Sequence, residues 1–451
     1  MSQSSSKSQG YDFTSLPNSL EEFWMPFTPQ KMFKKDPRYM VSADGMFYKD
    51  QHGREILDGC AGLWCVNAGH NKKRIVDAIK QQAEQLDFTS NFQMSTSTAF
   101  KAASRLVSAF PEPYSHVFFC NSGSEAVDTA LKIALGYHRM RGEGTRQVLI
   151  GRERAYHGVG FGGISVGGIP YNRAMFGSIL PKVDHMRHTH DLDRNRFSKG
   201  QPEHGVELAE DLERIIQLHD PQNVAAVIVE PVSGSTGVLP PPKGYLKRLR
   251  EIADKYGILL IFDEVVTAFG RMGSITSAEY FGVMPDLICT AKGLTNAAVP
   301  MGAVFCRKGI YEAFMNGPEY GFGFMHGYTY SGHPLAAAAA LATLDTYQEE
   351  KIFENAAKMM PIWEDAIHSL KDKPFVEDIR NCGIIAGIEV TKVAGDDYGA
   401  RARELFLKCY EKGLMVRYTG NNIALSPPLI LDQANIDQIV TTIGEALHTL
   451  S

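Results

Sequence analysis

Short apolar runs alternate with amphipathic helical patterns through the middle of the chain, between about residues 71 and 330. Runs of this length that are apolar throughout are typical of strands covered on both faces. Strands that alternate with helices predict a mainly parallel sheet with helices on both sides. The predicted strands are HVFFC (116–120), QVLIG (147–151), NVAAVIVEP (223–231), GILLIFDE (257–264), DLICTAK (286–292) and MGAVFC (301–306).

The two ends of the chain show a different pattern. Residues 39–58 contain short runs such as MFYKD and REILD separated by the turn pairs DG and HG, which predicts a small meander of strands. Towards the other end, helical patterns surround a few strands such as GIIAGIEV. We therefore expect an α/β protein with a large domain over 71–330 and a smaller α+β domain built from 21–70 and 331–451. The polar, serine-rich residues 1–20 predict a flexible arm.

Composition and charge argue against several classes of partner. The 451 residues carry a formal net charge of −5 without a long run of either sign, which argues against nucleic acid and against an anionic membrane surface. No run of about 18 apolar residues occurs, and the first ten residues lack the apolar stretch of a secretion signal. Seven scattered cysteines without a CxxC pair are typical of reduced thiols. We expect a cytoplasmic protein that acts on small molecules.

An aspartate and a lysine each stand where a predicted strand ends, Asp263 in ILLIFDEVVTAFGRMG and Lys292 in DLICTAKGL. An acid and an amine side by side suit the binding and activation of pyridoxal 5'-phosphate (PLP). The lysine forms a Schiff base with the cofactor aldehyde, and a buried carboxylate keeps the pyridine nitrogen protonated. The alternatives are a solvated strand end at Asp263 and a surface lysine at position 292.

A phosphate-binding turn is predicted where FFCNSGSEAVDTALKIA passes from a strand to a helix. The turn holds Asn121, Ser122, Gly123 and Ser124, and free backbone N–H groups there, with the positive end of the helix dipole, suit a phosphate. The alternative is an ordinary helix cap with Glu125 in the first turn. The position of the turn before the aspartate and lysine strands favours the phosphate site.

Three further motifs contain candidate pocket residues. Tyr156 and His157 in RAYHGVGFGG enter a glycine-rich loop after a strand, a place suited to stacking on a planar cofactor, although a turn with a surface tyrosine has the same pattern. Trp64 in HGREILDGCAGLWCVNAGH either walls a pocket or packs in the core. Arg417 in GLMVRYTGNNIALSPPL follows a strand-like run near a turn and, by itself, is typical of a surface arginine.

A histidine cluster raises the question of a metal site. His185, His188 and His190 lie close together in VDHMRHTHDLD. Because the cluster lacks the i, i+4 helical pairing and the cysteine partners of a zinc site, it predicts a solvated loop.

Together these motifs resemble the class III (omega) aminotransferases of PLP fold type I, especially the omega-amino acid:pyruvate transaminases. The resemblance extends from WMPFT (24–28) to ALSPPL (424–429), and its most specific part is LLIFDEVVTAFGRMG with TAKG downstream. SGSEA, YHG, AAVIVEP, GVLPPP and HGYTYSGHP add to it. The resemblance implies a mainly parallel sheet of the seven-stranded type, a smaller α+β domain and PLP as the cofactor.

The resemblance also implies roles for the residues around the cofactor ring. Lys292 would be the catalytic Schiff-base lysine, and Asp263 would be the catalytic partner of the pyridine nitrogen. Val265 would pack against the ring face opposite Tyr156, and His157 would belong to the cofactor-binding set.

The phosphate and substrate ends of the site follow from the same resemblance. Gly123 and Ser124 would hold the phosphate, and Thr329 in HGYTYSGHP would reach it from a neighbouring subunit, so a homodimer is implied, with a tetramer as a further option. The substrate pocket would comprise Tyr156, Trp64 and Arg417, with the arginine binding a carboxylate. Close relatives carry a glutamine where this chain has Ala424, so the polarity that an amide would add to the pocket is absent.

The implied activity is the transfer of an amino group from an omega-amino acid or primary amine to pyruvate. The products would be alanine and an aldehyde or ketone, formed by a ping-pong mechanism. A different PLP enzyme of the same fold type, an aminomutase, decarboxylase or racemase, is the alternative because all share the lysine and the aspartate. A non-catalytic dimeric scaffold is a second alternative, and the retained Lys292 and Asp263 argue against it.

Overall fold

The computed structural model describes residues 12, 14–15, 19–177, 179–396 and 399–450, so the predicted arm over 1–20 lies mostly outside the described residues. Strands in the described chain form three separate β-sheets. The strands are β1 (Met40–Asp44), β2 (Phe47–Asp50), β3 (Glu55–Asp58), β4 (Tyr114–Cys120), β5 (Val148–Arg152), β6 (Val183–Met186), β7 (Val224–Val229), β8 (Leu259–Asp263), β9 (Leu287–Thr290), β10 (Gly302–Arg307), β11 (Val376–Asn381), β12 (Ala386–Val390), β13 (Leu414–Met415), β14 (Arg417–Thr419) and β15 (Asn422–Leu425).

The central sheet has seven strands in the order β4-β10-β9-β8-β7-β5-β6, which confirms the expected mainly parallel α/β architecture. Each neighbouring pair from β9 to β6 is parallel. Strand β10 runs antiparallel to both β9 and β4. Residues 291–301, which connect β9 to β10, contain one 3₁₀ turn and no crossover helix, so β10 returns beside β9 in the opposite direction.

The histidine segment is only partly the loop that its sequence predicts, because His188 and His190 lie in a loop, half-buried, while His185 lies in a strand. Residues Val183–Met186 form the edge strand β6, and His185 lies half-buried in it. His185 Nε2 is 3.0 Å from the carbonyl oxygen of Gly167. His190 lies 3.3 Å from the carboxylate of Glu389. Within the described residues, no group of three or more histidine, cysteine or acidic side chains is arranged to hold a metal ion.

The predicted meander at residues 39–58 is the antiparallel group β1, β2 and β3. Strand β13 completes this sheet by pairing in parallel with β3, so that Leu414 lies opposite Leu57. The third sheet, β11-β12-β15-β14, is antiparallel. Pairing between β3 and β13 supports a smaller domain built from both ends of the chain, and its limits near residues 70 and 330 stay predictions.

Helices cover the sheets, and none in the described part of the chain is long and apolar enough to cross a membrane. The α-helices are α1 (Gln30–Lys35), α2 (Ala61–Trp64), α3 (Lys73–Gln85), α4 (Ser97–Ala109), α5 (Gly123–Met140), α6 (Phe161–Val166), α7 (Pro170–Ala174), α8 (Leu192–Asn195), α9 (Glu210–His219), α10 (Tyr245–Tyr256), α11 (Ser277–Phe281), α12 (Lys308–Phe314), α13 (Pro334–Glu349), α14 (Ile352–His368), α15 (Ala400–Glu411) and α16 (Gln433–Leu447).

Helix α13 is rich in alanine, and its small side chains let it fit closely among its neighbours. Ala336, Ala337, Ala339 and Ala340 are buried, and small side chains allow neighbouring helices to approach closely. The helix packs against α3 and α4 and also contacts the 3₁₀ turn Lys292–Thr295. The same helix therefore supports both the core and the segment that carries the candidate lysine.

We expect Gly302→Ala to lower stability by about 1–3 kcal/mol, because the added methyl group would overlap the carbonyl oxygen of Ser122 in the turn between β4 and α5. Gly309→Ala, in α12, is the control, since a Cβ there meets no atom within 4 Å. Alanine in a helix should leave stability unchanged or raise it by up to about 1 kcal/mol. Thermal melting midpoints measure both changes, and equal midpoints for the two variants would contradict the expected overlap.

Candidate active site

The candidate chemical groups meet at one edge of the central sheet. Asp263 is the last residue of β8, Glu230 directly follows β7, and Lys292 comes two residues after β9. Tyr156 and His157 stand in the loop after β5. Because these strands are parallel, their carboxyl ends share an edge, which is where open α/β sheets usually bind ligands.

A cavity of about 360 Å³ opens at this edge. Its lining includes the residues predicted for the site except Thr329 and the first two residues of the predicted phosphate turn, Asn121 and Ser122. The lining residues are Phe27, Leu63, Trp64, Gly123, Ser124, Tyr156, His157, Gly158, Ile169, Tyr171, Asn172, Glu230, Ser235, Asp263, Val265, Val266, Ala291, Lys292, Arg417 and Thr419.

Asp263 and His157 form a buried acid–imidazole pair. His157 Nδ1 lies 2.8 Å from Asp263 Oδ2, and since a carboxylate only accepts hydrogen bonds, Nδ1 carries the hydrogen. The backbone N–H of Val265 donates to the other carboxylate oxygen at 3.1 Å. Asp263 is only 6% exposed, so the alternative of a solvated strand end is wrong.

Lys292 stands at the start of its 3₁₀ turn with a left-handed backbone, φ 48°. Burial lowers the pKa of its amine, although the nearby Cys65, Asp263 and Glu230 act in the opposite direction and Arg417 adds to the lowering. A lowered pKa increases the share of the neutral amine, which is the form that acts as a nucleophile or base. Lys292 is half-buried and lines the cavity, so the surface-lysine alternative is wrong.

The turn before α5 is both a helix cap and part of the cavity wall. Ser122 accepts the backbone N–H of Glu125 at 3.2 Å, while the Glu125 carboxylate accepts from the backbone of Asn121 at 2.7 Å. The next two residues, Gly123 and Ser124, line the cavity at the helix N-terminus. The cap and the anion-binding geometry predicted for this turn are therefore compatible, because the cap uses the N–H of the third helical residue.

Gly123 packs closely against Val265. A Cβ at Gly123 would lie 3.0 Å from both methyl carbons of Val265 and 3.6 Å from the Cβ of Ala291. A larger residue at position 123 would therefore press on the valine side chain, so glycine suits this close approach.

Glu230 is a cavity residue without a role in the sequence prediction. Its carboxylate accepts the backbone N–H of Tyr156 at 2.9 Å and that of Gly234 at 3.2 Å. Burial raises the pKa of Glu230 and also that of the Tyr156 phenol. An acidic residue directly after an apolar strand run was the available signal, the same signal that identified Asp263.

Trp64 and Arg417 form the wall that faces the lysine. The Trp64 ring centroid lies 5.1 Å from Lys292 Nζ and 5.5 Å from Arg417 Cζ, within the range of cation–π attraction. Trp64 is 3% exposed and lines the cavity, so it both packs in the core and walls the pocket. Arg417 is half-buried, and burial lowers its pKa, so the surface-arginine alternative is wrong.

Ala424 lies beside the arginine, as its position in β15 dictates. It is paired directly with Arg417 across the antiparallel strands β14 and β15 and is fully buried among apolar residues that include Trp64. The methyl side chain brings no hydrogen-bonding group to this part of the wall.

Thr329 lies apart from these groups. It is exposed, in a turn that follows the irregular segment 325–328. The single chain therefore does not place its own Thr329 in its own cavity.

The residues present fit PLP. Three buried nitrogens that line the cavity have no hydrogen-bond partner in the described chain, His157 Nε2, Trp64 Nε1 and Arg417 Nε. Buried polar atoms without partners are rare in native proteins and suggest a missing ligand or water. A lysine whose pKa is lowered by burial, a buried carboxylate and a helix N-terminus match the aldehyde, ring nitrogen and phosphate of PLP.

Comparison with known proteins identifies the family. Residues 32–447 match the family described as aminotransferase class-III. The chain is 59% identical to an omega-aminotransferase of Caulobacter vibrioides, covering 95% of this chain and 98% of that protein. It is 45% identical to a beta-alanine–pyruvate aminotransferase of Pseudomonas aeruginosa, covering 96% and 97%. A PLP-bound amine transaminase structure from an uncultivated Pseudomonas species has a TM-score of 0.89 and 34% identity, covering 96% of this chain and 100% of that one.

The chain therefore belongs to the class III aminotransferases, a PLP-dependent family. The resemblance, the fold type, the enzyme class and the cofactor inferred from the sequence are all confirmed.

We expect the amine of Lys292 in the cofactor-free protein to titrate below the ordinary lysine value of 10.5, because burial disfavours its charged form. An amine-reactive label attacks only the neutral amine. Labelling of the Lys292 peptide should therefore reach its plateau at a lower pH than labelling of peptides with surface lysines, as followed by mass spectrometry. A common pH profile for all the peptides would show that Lys292 is not buried in this way.

Proposed function

We propose that the protein transfers an amino group from an omega-amino acid or primary amine to pyruvate, with PLP as cofactor. One observation carries the proposal: Lys292, the buried Asp263–His157 pair and the half-buried Arg417 line one cavity, and burial there lowers the pKa of the lysine amine. The activities for which the relatives are named support pyruvate as the acceptor and beta-alanine or another omega-amino compound as the donor.

Each residue has a role that its surroundings support. Bound PLP would withdraw electrons from the substrate carbon that carries the amino group and would accept that group. Lys292 would attach the cofactor and, once released, move a proton at the substrate carbon as a neutral base. Asp263, held by His157, would keep the pyridine nitrogen protonated. Gly123 would hold the phosphate at the α5 N-terminus, with Ser124 beside it.

Arg417 would bind the carboxylate of pyruvate or of an omega-amino acid. Among the described residues no carboxylate forms an ion pair with it, and burial without such a partner lowers its pKa, so a substrate carboxylate would supply the missing charge. Its contact with Trp64 keeps the guanidinium at the cavity wall. Apolar neighbours such as Ala424 add no competing hydrogen-bonding group beside the arginine.

We further propose a homodimer in which Thr329 of one subunit reaches the phosphate bound by the other. Support comes from the exposed position of Thr329 and from an apolar groove of about 590 Å³ next to its segment. The groove includes Phe92, Met94 and Phe100, which are 53, 61 and 71% exposed. Apolar patches of this kind often mark protein–protein contacts.

A reducing compartment, the cytoplasm, suits the cysteines. Each of the seven is a free thiol in the described chain, and burial raises the pKa of all of them above the ordinary thiol value. Thiols of this kind are inert packing groups instead of disulfide partners.

We expect beta-alanine or a primary amine to bleach the visible band of the PLP-loaded protein and pyruvate to restore it, because a transaminase passes the amino group on. An aminomutase, decarboxylase or racemase would not restore the band with pyruvate, and a scaffold would show neither change.

In the Lys292→Ala variant, turnover should vanish while PLP still binds without a covalent bond. Borohydride reduction followed by peptide mapping should place the wild-type label on Lys292, and a label elsewhere would refute the assignment.

We expect Arg417→Ala to weaken substrates with a carboxylate selectively. Loss of one charge-assisted hydrogen-bond pair costs about 1.5–3 kcal/mol, or about one to two powers of ten in affinity. Single-turnover rates should fall with pyruvate and an omega-amino acid but much less with an alkyl or aryl amine. Arg403→Ala is the control, because Arg403 lines the adjoining cavity and not this one. Equal losses with all three substrates would assign Arg417 to the fold.

A further inference from the structure

We propose that Tyr347 and Asn296 are positioning residues for Lys292. Their side chains fix the strained turn on which the lysine stands. This role rests on the proposed function of Lys292 as the cofactor lysine. Neither side chain lines the cavity. Both act through the backbone of the turn and its neighbours.

The turn holding Lys292 is unfavourable by itself. Lys292, Asn296 and Ala297 have φ values of 48°, 51° and 57°, so three residues without glycine's freedom adopt the left-handed region within six positions. Such conformations persist only where surrounding structure enforces them, and they are common at functional sites. Side-chain contacts from outside the turn therefore add to its own backbone hydrogen bonds, such as that from Ala297 N–H to the carbonyl oxygen of Lys292 at 3.0 Å, in holding this conformation.

Tyr347 supplies one of these contacts from helix α13. Its hydroxyl donates to the carbonyl oxygen of Gly293, the residue after the lysine, at 2.6 Å. Tyr347 is 2% exposed, and burial raises the pKa of its phenol, so the hydroxyl keeps its proton and remains a donor. Gly293 itself is tightly enclosed, because a Cβ there would lie 2.6 Å from Asn67 Nδ2.

Asn296 supplies a second, two-sided contact. Its Oδ1 accepts the backbone N–H of Ala68, and its Nδ2 donates to the carbonyl oxygen of Gly69, both at 2.8 Å. An amide side chain carries both a donor and an acceptor, and asparagine tolerates the left-handed backbone better than most residues. The contact ties the lysine turn to the segment that follows Trp64.

A buried network extends these ties to the segment after Asp263. Asn67 Nδ2 donates to the carbonyl oxygen of Phe269 at 2.8 Å. Arg271, which is fully buried, donates to Asn67 Oδ1 at 2.8 Å. The segments that present Trp64, Asp263 and Lys292 are thus hydrogen-bonded to one another behind the cavity, and release of one contact should displace the amine.

The test compares Tyr347→Phe and Asn296→Gly with the wild type. Phenylalanine keeps the ring and removes only the hydroxyl, while glycine keeps the left-handed backbone and removes both amide contacts. Tyr114→Phe is the matched control, because Tyr114 is also buried and its hydroxyl donates to a backbone carbonyl, that of Pro285, at 2.8 Å. Melting midpoints of the three variants report any general loss of stability.

Two readouts separate positioning from general stability. In the cofactor-free protein, the pH profile of Lys292 labelling should shift towards that of surface lysines by at least about half a pH unit in both test variants, because a loosened turn exposes the amine to water. In the PLP-loaded protein, kcat should fall about 10- to 100-fold, with less than about a threefold change in KM for pyruvate. Tyr114→Phe should leave both readouts unchanged.

The positioning role would be overturned if both test variants gave the same labelling profile and kcat as Tyr114→Phe. If Tyr347→Phe does not fold, the result for Asn296→Gly alone tests the role. Failure of the proposed function has a separate sign, a borohydride label on a lysine other than Lys292 in the wild type. The labelling profile of the cofactor-free protein reports on the turn in either case.

Discussion

A single constraint organises the site: parallel strands that are neighbours must end at the same edge of their sheet. Strands β5, β7, β8 and β9 obey it, so the residues at or just after their ends converge without any further folding. The cavity-lining residues at this edge include Tyr156, Glu230, Asp263 and Lys292. Trp64, in helix α2 just after β3, and Arg417, in β14, then close the cavity.

Burial is the dominant electrostatic influence in this cavity. It lowers the pKa of Lys292 and Arg417 and raises that of Glu230, even though the lysine lies near two carboxylates that act in the opposite direction. Water exclusion therefore prevails over attraction between opposite charges at the lysine. The buried Asp263 is stabilised by direct hydrogen bonds from His157 and from the backbone of Val265.

Much of the fold could be predicted because continuous apolar runs mark strands that are covered on both faces. Strand β6 escaped prediction because it is short, lies at the sheet edge and carries the polar Asp184 and His185. The same reasoning predicts the site residues that directly follow apolar runs. Glu230 also directly follows an apolar run, but no role is predicted for it. Tyr347 could not be predicted, since its contact with Gly293 joins residues 54 positions apart and depends on helix packing.

The indole of Trp64 gives the protein a built-in optical probe. The chain has only three tryptophans, of which Trp24 is 88% exposed and Trp363 is fully buried away from the cavity lining. Of the three, Trp64 faces the Lys292 amine at 5.1 Å and the Arg417 guanidinium at 5.5 Å. Because indole fluorescence responds to nearby charge, a change in the charge of Lys292 or the pairing of Arg417 with an anion alters the emission of this one ring. Occupancy of the cavity can therefore be followed from intrinsic fluorescence, without a coloured substrate.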